Sequence, residues 1–258
     1  MMNNHFFHLV DVSPWPLLIS LNFINLGFGV YFFLSGFFFF FFFCLFSMIL
    51  ISYQWWRDII REGLFLGFHS FKVKIGLSLG VLMFIVSELF FFVSFFWMFF
   101  YLSLSPSVEL GLNWPPVGYE LVSFLNIPLM NTLILLSSGF FITWSHMSLL
   151  SKKEDFFLTY LFSLFLGVYF IIIQGYEYYF LSFSFLDGVF GSSFYILTGF
   201  HGLHVIIGFV FLFVNFFRFK NLNFSVSFFY GFEYSVWYWH FVDVIWLFLY
   251  LFIYWWGM

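Results

Sequence analysis

The chain has 258 residues, of which 64% are hydrophobic, 30% aromatic and 8% charged. A soluble domain carries about 25% charged residues, so water is excluded as the main solvent. A net charge of −4 and one cysteine further exclude a basic nucleic-acid face and a disulfide scaffold. An integral membrane protein remains, with Cys44, inside a phenylalanine run, read as a small hydrophobe.

Lipid obliges the backbone to satisfy its own hydrogen bonds, and the continuous apolar runs favour helices over the alternating pattern of a barrel. A helix needs roughly 20 apolar residues to cross a ~30 Å hydrocarbon core. Charges, Pro and Gly mark seven such spans, at 17–34, 37–55, 75–102, 126–149, 156–180, 188–217 and 233–256, predicting an all-α membrane protein built as one integral domain over 1–258. The stretch before the first span, Met1 to Pro16, holds no Lys or Arg, so no cleaved signal or transit peptide is expected. From Leu17 to Gln54 there is no charge, and one helix would run about 57 Å at 1.5 Å per residue. Ser35-Gly36, near the midpoint, predicts a helical hairpin instead.

All eight basic residues fall in three segments: Arg57, Arg61, Lys72 and Lys74; Lys152 and Lys153; Arg218 and Lys220. Seven crossings put these on one side. The opposite loops hold only Glu109, Glu120 and Asp187, so the positive-inside rule predicts the N-terminus inside and the C-terminus outside. Trp15, Trp55, Trp56, Trp144, Trp237 and Trp239 read as an inner interfacial belt, and Trp114, Trp255 and Trp256 as an outer one.

Ionisable groups at membrane depth are costly and therefore candidates for function. Glu88 lies fourteen residues beyond Lys74, about 21 Å along a helix and near the bilayer centre, which makes it a protonatable or hydrogen-bonded intramembrane acid. His201 and His204 share a helix face, as do His240 and Asp243 on the last span. These four predict a polar helix-packing network, with a bis-histidine haem site as the alternative. No Glu-x-x-His occurs, so the ligand set of a di-iron bundle is missing. His146, at the inner end of its helix, reads as an interfacial histidine. On the inner face, Gln54 to Glu62 combines Trp, Arg and acids, with His69 and Arg218 nearby in character; anionic lipid binding and simple topological anchoring both fit.

Several long strings resemble one family. Phe7-His8-Leu9-Val10, Ser13-Pro14-Trp15-Pro16, Tyr53-Gln54-Trp55-Trp56-Arg57-Asp58, Ser87-Glu88, Trp114-Pro115-Pro116, Asp187-Gly188-Val189, Thr198 to Ile207 and Trp237 to Trp256 closely resemble subunit III of mitochondrial cytochrome c oxidase. The resemblance implies a two-helix bundle (I–II) and a five-helix bundle (III–VII) around a cleft that holds phospholipids. It implies haem and copper in partner subunits I and II, with no cofactor or metal on this chain and no catalytic residue. The function implied is support of oxygen reduction coupled to proton pumping in the mitochondrial inner membrane, by stabilising subunit I, holding lipids and aiding proton uptake. The N-terminus would face the matrix and the C-terminus the intermembrane space.

Carried over by position, Glu88 matches the family's carbodiimide-reactive carboxylate. Trp55, Trp56, Arg57, Arg61, Glu62, His69 and Arg218 match the lipid cleft, and His5 and His8 a proton-uptake surface. His146-Met147 stands where the family usually has His-His, and Phe68 where it has a histidine. The excess of Phe also departs from the family and suggests drift under an AT-rich code. The alternative reading is a stand-alone haem electron carrier or proton transporter using Glu88, His201, His204, His240 and Asp243.

Overall fold

The computed structural model describes residue 8 and residues 10–108, 111–224 and 229–258. Seven helices follow one another: α1 (Trp15–Leu34), α2 (Phe38–Leu64), α3 (Phe71–Leu104), α4 (Ile127–Leu150), α5 (Phe156–Phe180), α6 (Val189–Lys220) and α7 (Tyr230–Leu249), which continues into a π-helical turn, Tyr250–Trp255. All seven are long and apolar enough to cross a membrane. No strand occurs among the described residues.

The expected hairpin is present. Gly36 takes φ of +93°, which a side chain would resist. The Phe37 N–H donates to Phe32 O and the Gly36 N–H to Phe33 O, the pairing of a Schellman motif that closes α1 without leaving carbonyls orphaned in lipid. At its other end, α2 runs past the predicted stop at 55 to Leu64. Nothing between Trp55 and Glu62 breaks a helix, and the backbone gains by staying paired as it leaves the hydrocarbon. Gly67, with φ of +66°, lies in the turn that follows.

The chain divides into two compact units, Met1–Leu77 and Ser78–Met258. In the first, α1 packs on α2. The Asn22 amide donates to Ser47 Oγ at 2.9 Å and to Cys44 O at 3.3 Å, and Cys44 is buried beneath it. Opposite Gly29 the α2 backbone comes so close that an added Cβ would lie 3.3 Å from Phe41 Cα. Small residues and the Asn22 bonds thus hold the middle of a pair whose exposed surface is rich in Phe, Leu and Ile, as expected where lipid tails remove the hydrophobic drive between helices.

In the second unit α4 packs on α5 and α7, and α6 packs on the same two helices. Their junction is Trp239, which is fully buried. Its indole donates to Ser138 Oγ of α4 at 2.9 Å, and its ring lies against Gly167 of α5 and Gly208 of α6, where an added Cβ would sit 2.9 and 3.1 Å from ring carbons. The interfacial role expected for Trp239 is therefore overturned. α7 turns this side chain into the bundle, where two glycines make room for it and a serine satisfies its N–H. Trp114, expected in the outer belt, is half-buried and donates to Gly257 O at 3.1 Å, pinning the segment after α3 to the C-terminal end.

Candidate functional site

Glu88 meets a partner on another helix. Its Oε2 lies 2.9 Å from Nε2 of His204 on α6, and the other ring nitrogen, Nδ1, lies 2.6 Å from Phe200 O. A carbonyl oxygen only accepts, so Nδ1 carries a hydrogen and donates. The Nε2 to Oε2 contact then needs exactly one proton. Either a neutral carboxylic acid donates to neutral imidazole, or imidazolium donates to carboxylate. Phe91 and Phe92 of α3 pack their rings against His204, lowering the local dielectric and strengthening the bond.

The other three polar residues at depth stay apart from this pair in their bonding. The His201 Nε2 lies 3.3 Å from Val242 O on α7, with the ring between Trp246 and Phe170. His240 Nδ1 lies 3.6 Å from Asp243 Oδ2 one turn on, and Asp243 is buried with that oxygen against Gly139 of α4. Each contact ties two helices or two turns of the second unit.

A third acid at depth escaped the sequence reading. Glu177 is only 2% exposed and lies beside Tyr254 and Gln174, and Gln174 accepts from the Asn131 amide of α4 at 3.0 Å. Its place three residues from the end of α5 makes it resemble an interfacial acid. The available signal was the run Gln174, Glu177, Tyr178, whose spacing repeats one helix face.

On the first unit, Trp55, Trp56, Arg57, Arg61 and Glu62 all sit on the last turns of α2. Asp58 accepts from the Trp15 indole at 2.8 Å and pairs with Arg57 at 3.0 Å, so part of this charge is spent on joining α1 to α2. Glu62 and His69 are brought together with His8: His8 Nε2 is 3.6 Å from Glu62 Oε2, and the His8 and His69 rings meet edge to face at 5.4 Å. Burial first, then the neighbouring His8 and Lys74, hold the His69 imidazole below the usual histidine value. His5 lies outside the described residues.

On the second unit, Arg218 ends α6 with its guanidinium over the Phe224 ring at 4.2 Å and Nη1 donating to Asn215 Oδ1 at 3.0 Å. The Asn215 amide donates to Gly231 O on α7. Arg218 is therefore placed by its own helix end and the start of the next. His146, on α4, packs its ring against Phe229 and Phe232.

A family model described as Cytochrome c oxidase subunit III matches residues 5–258. Among curated proteins, "Cytochrome c oxidase subunit 3" of Anopheles gambiae is 52% identical over 260 residues, covering 98% of both chains. The protein of that name from Rhipicephalus sanguineus is 50% identical over 254 residues, covering 98% of this chain and 99% of its own. That from Osphranter robustus is 49% identical over 256 residues, with 98% of each covered.

Proposed function

Because the chain belongs to the cytochrome c oxidase subunit III family, we propose that it is the oxidase's non-catalytic core subunit: it stabilises subunit I, holds phospholipids and aids proton uptake. Haem and copper reside in subunits I and II, and electrons from cytochrome c reach oxygen there. The single observation that favours support over redox chemistry is the pairing at depth. Glu88 is engaged by His204, and His201 by a backbone carbonyl of α7, contacts that support a role for both histidines in helix packing. The alternative, a stand-alone haem carrier, would need those imidazoles as axial ligands.

The proposed phospholipid set is Trp55, Trp56, Arg57, Arg61, Glu62, His69 and Arg218. Guanidinium groups beside tryptophans at headgroup depth suit anionic phosphates. His5 and His8 are proposed to serve proton uptake from the inner side. The eight cations on one side of seven crossings favour a multi-pass subunit of the mitochondrial inner membrane with its N-terminus in the matrix and its C-terminus in the intermembrane space.

The test is selective release of this subunit from the purified oxidase. All haem and copper are expected to stay with the remaining complex, with turnover initially retained. Pigment leaving with this chain in stoichiometric amount would overturn the reading.

A further inference from the structure

We infer that His8, Glu62 and His69 form a binding site for a first-row divalent cation, with zinc the best fit. This goes beyond the lipid and proton-uptake roles proposed above, which treat Glu62 and His69 apart from His8.

The three side chains come from separate stretches of one unit: the segment before α1, the last turn of α2, and the turn leading to α3. One ligand atom from each, two imidazole nitrogens and one carboxylate oxygen, all fall within 4.8 Å of one another. Zinc held tetrahedrally at 2.0–2.1 Å wants its ligand atoms about 3.3 Å apart. The His8 to Glu62 pair, at 3.6 Å, is already near that separation, and closing the others takes side-chain rotation of about an ångström. Two histidines and one glutamate are the donor set of an open zinc site, with a fourth position for water.

Two further observations point to a ligand. Position 63 is glycine where a side chain would push the His69 ring from its present place: an added Cβ would lie 2.7 Å from His69 Nδ1 and 2.9 Å from Cε1. The helix end is cut back so that the imidazole can lie against it. Among the described residues the buried His8 Nδ1 has no hydrogen-bond partner, whereas metal-ligating histidines gain from a partner on the second nitrogen or from using it for the metal. Within the proposed lipid set the guanidinium groups suit the phosphate, whereas the Glu62 carboxylate repels it and attracts a cation, so the ion placed between Glu62 and the two imidazoles is the metal. Lys74 acts on His69 through space, so the site is weaker than a closed four-ligand zinc site. When filled, it would cross-link the segment before α1 to the α2 end.

The test uses the intact oxidase and histidine carbethoxylation read by peptide mass spectrometry. With zinc at about ten times its dissociation constant, modification of His8 and of His69 should fall together about tenfold, by simple mass action. Magnesium, which prefers oxygen ligands, should protect neither. In an assembled Glu62→Gln complex the zinc protection of both histidines should weaken in parallel. Protection of one histidine alone, protection by neither metal, or protection undiminished by Glu62→Gln would overturn the inference. So would protection that follows re-added phospholipid after delipidation and not zinc. The measurement on the unaltered complex stands even if the variant fails to assemble.

Discussion

Glu88 Oε2 and His204 Nε2, on helices 116 residues apart in sequence, lie 2.9 Å from one another with the far side of the imidazole committed to Phe200 O. The contact holds one proton that either partner can carry. A carboxylate alone at this depth would be expensive; a carboxyl sharing a proton with imidazole is not alone. Glu88 is thereby both the deepest acid of α3 and a bond between α3 and α6.

Replacing Glu88 by Gln keeps the bond, because the amide N–H donates to neutral Nε2. Glu88→Gln should leave the assembled amount of oxidase near wild type. Glu88→Ala strands the imidazole, and a buried polar group without its partner costs about 1–3 kcal/mol. Quantifying assembled complex on native gels separates the two; equal loss in both variants would show that ionisation, not hydrogen bonding, matters at this position.

Trp239 fills a slot between Gly167 and Gly208. Gly167→Leu should therefore overpack the junction of α5 and α7 and cost about 1–3 kcal/mol. Ser138→Ala removes only the acceptor of the indole N–H and should cost about 1 kcal/mol. Thermal stability of the detergent-solubilised oxidase reads both, and the glycine variant is expected to be the worse.

Asn22 makes the buried interhelical polar bond of the first unit to Ser47 and Cys44 O. Asn22→Leu should weaken the α1 to α2 association by about 0.6 kcal/mol, the average for such bonds in membranes. Energy transfer between labels on the two helices in bilayers measures it. No change would assign the pairing to packing at Gly29 and to the bond between Trp15 and Asp58.

Arg218 faces the Phe224 ring and Asn215. Arg218→Ala should lower the anionic phospholipid that co-purifies with the oxidase and shorten its working lifetime, while Arg218→Lys, which keeps a cation without the planar fork, should retain part of both. Lipid mass analysis of the three complexes checks this; unchanged lipid in Arg218→Ala would remove Arg218 from the proposed lipid set.

His69 is held below the ordinary histidine value of 6.5 by burial and by His8 and Lys74. A lowered value keeps the imidazole neutral further into the acid range, so its stabilising contribution is complete above 6.5 and is lost as pH falls through the lower folded value. Carbethoxylation needs the neutral ring. In the intact oxidase freed of added zinc, the half-maximal rate at His69 should fall at a pH below 6.5; a midpoint at or above it would contradict the burial seen here.

Much of the fold was legible because lipid leaves so few options. Uncharged runs had to be helices, the Ser35-Gly36 pair had to break the first one, and eight cations had to gather at three connections. The same logic singled out Glu88, His201, His204, His240 and Asp243, since a polar group in an apolar span is visible in one dimension. What each of them touches is not. Partnership between α3 and α6, or the seat of Trp239 between two glycines, depends on the rotation of each helix about its axis and on how closely backbones approach. These are set by packing summed over many residues, and a span that is apolar on every side carries no periodic stripe to reveal its inward face. Glu177 was hidden for that reason, sitting where sequence places an interface and tertiary structure places a core. His8, Glu62 and His69 carry the same lesson: the sequence determined which side chains exist and the solvent they must face, and only the turn between α2 and α3, with glycine at 63, decided that they meet.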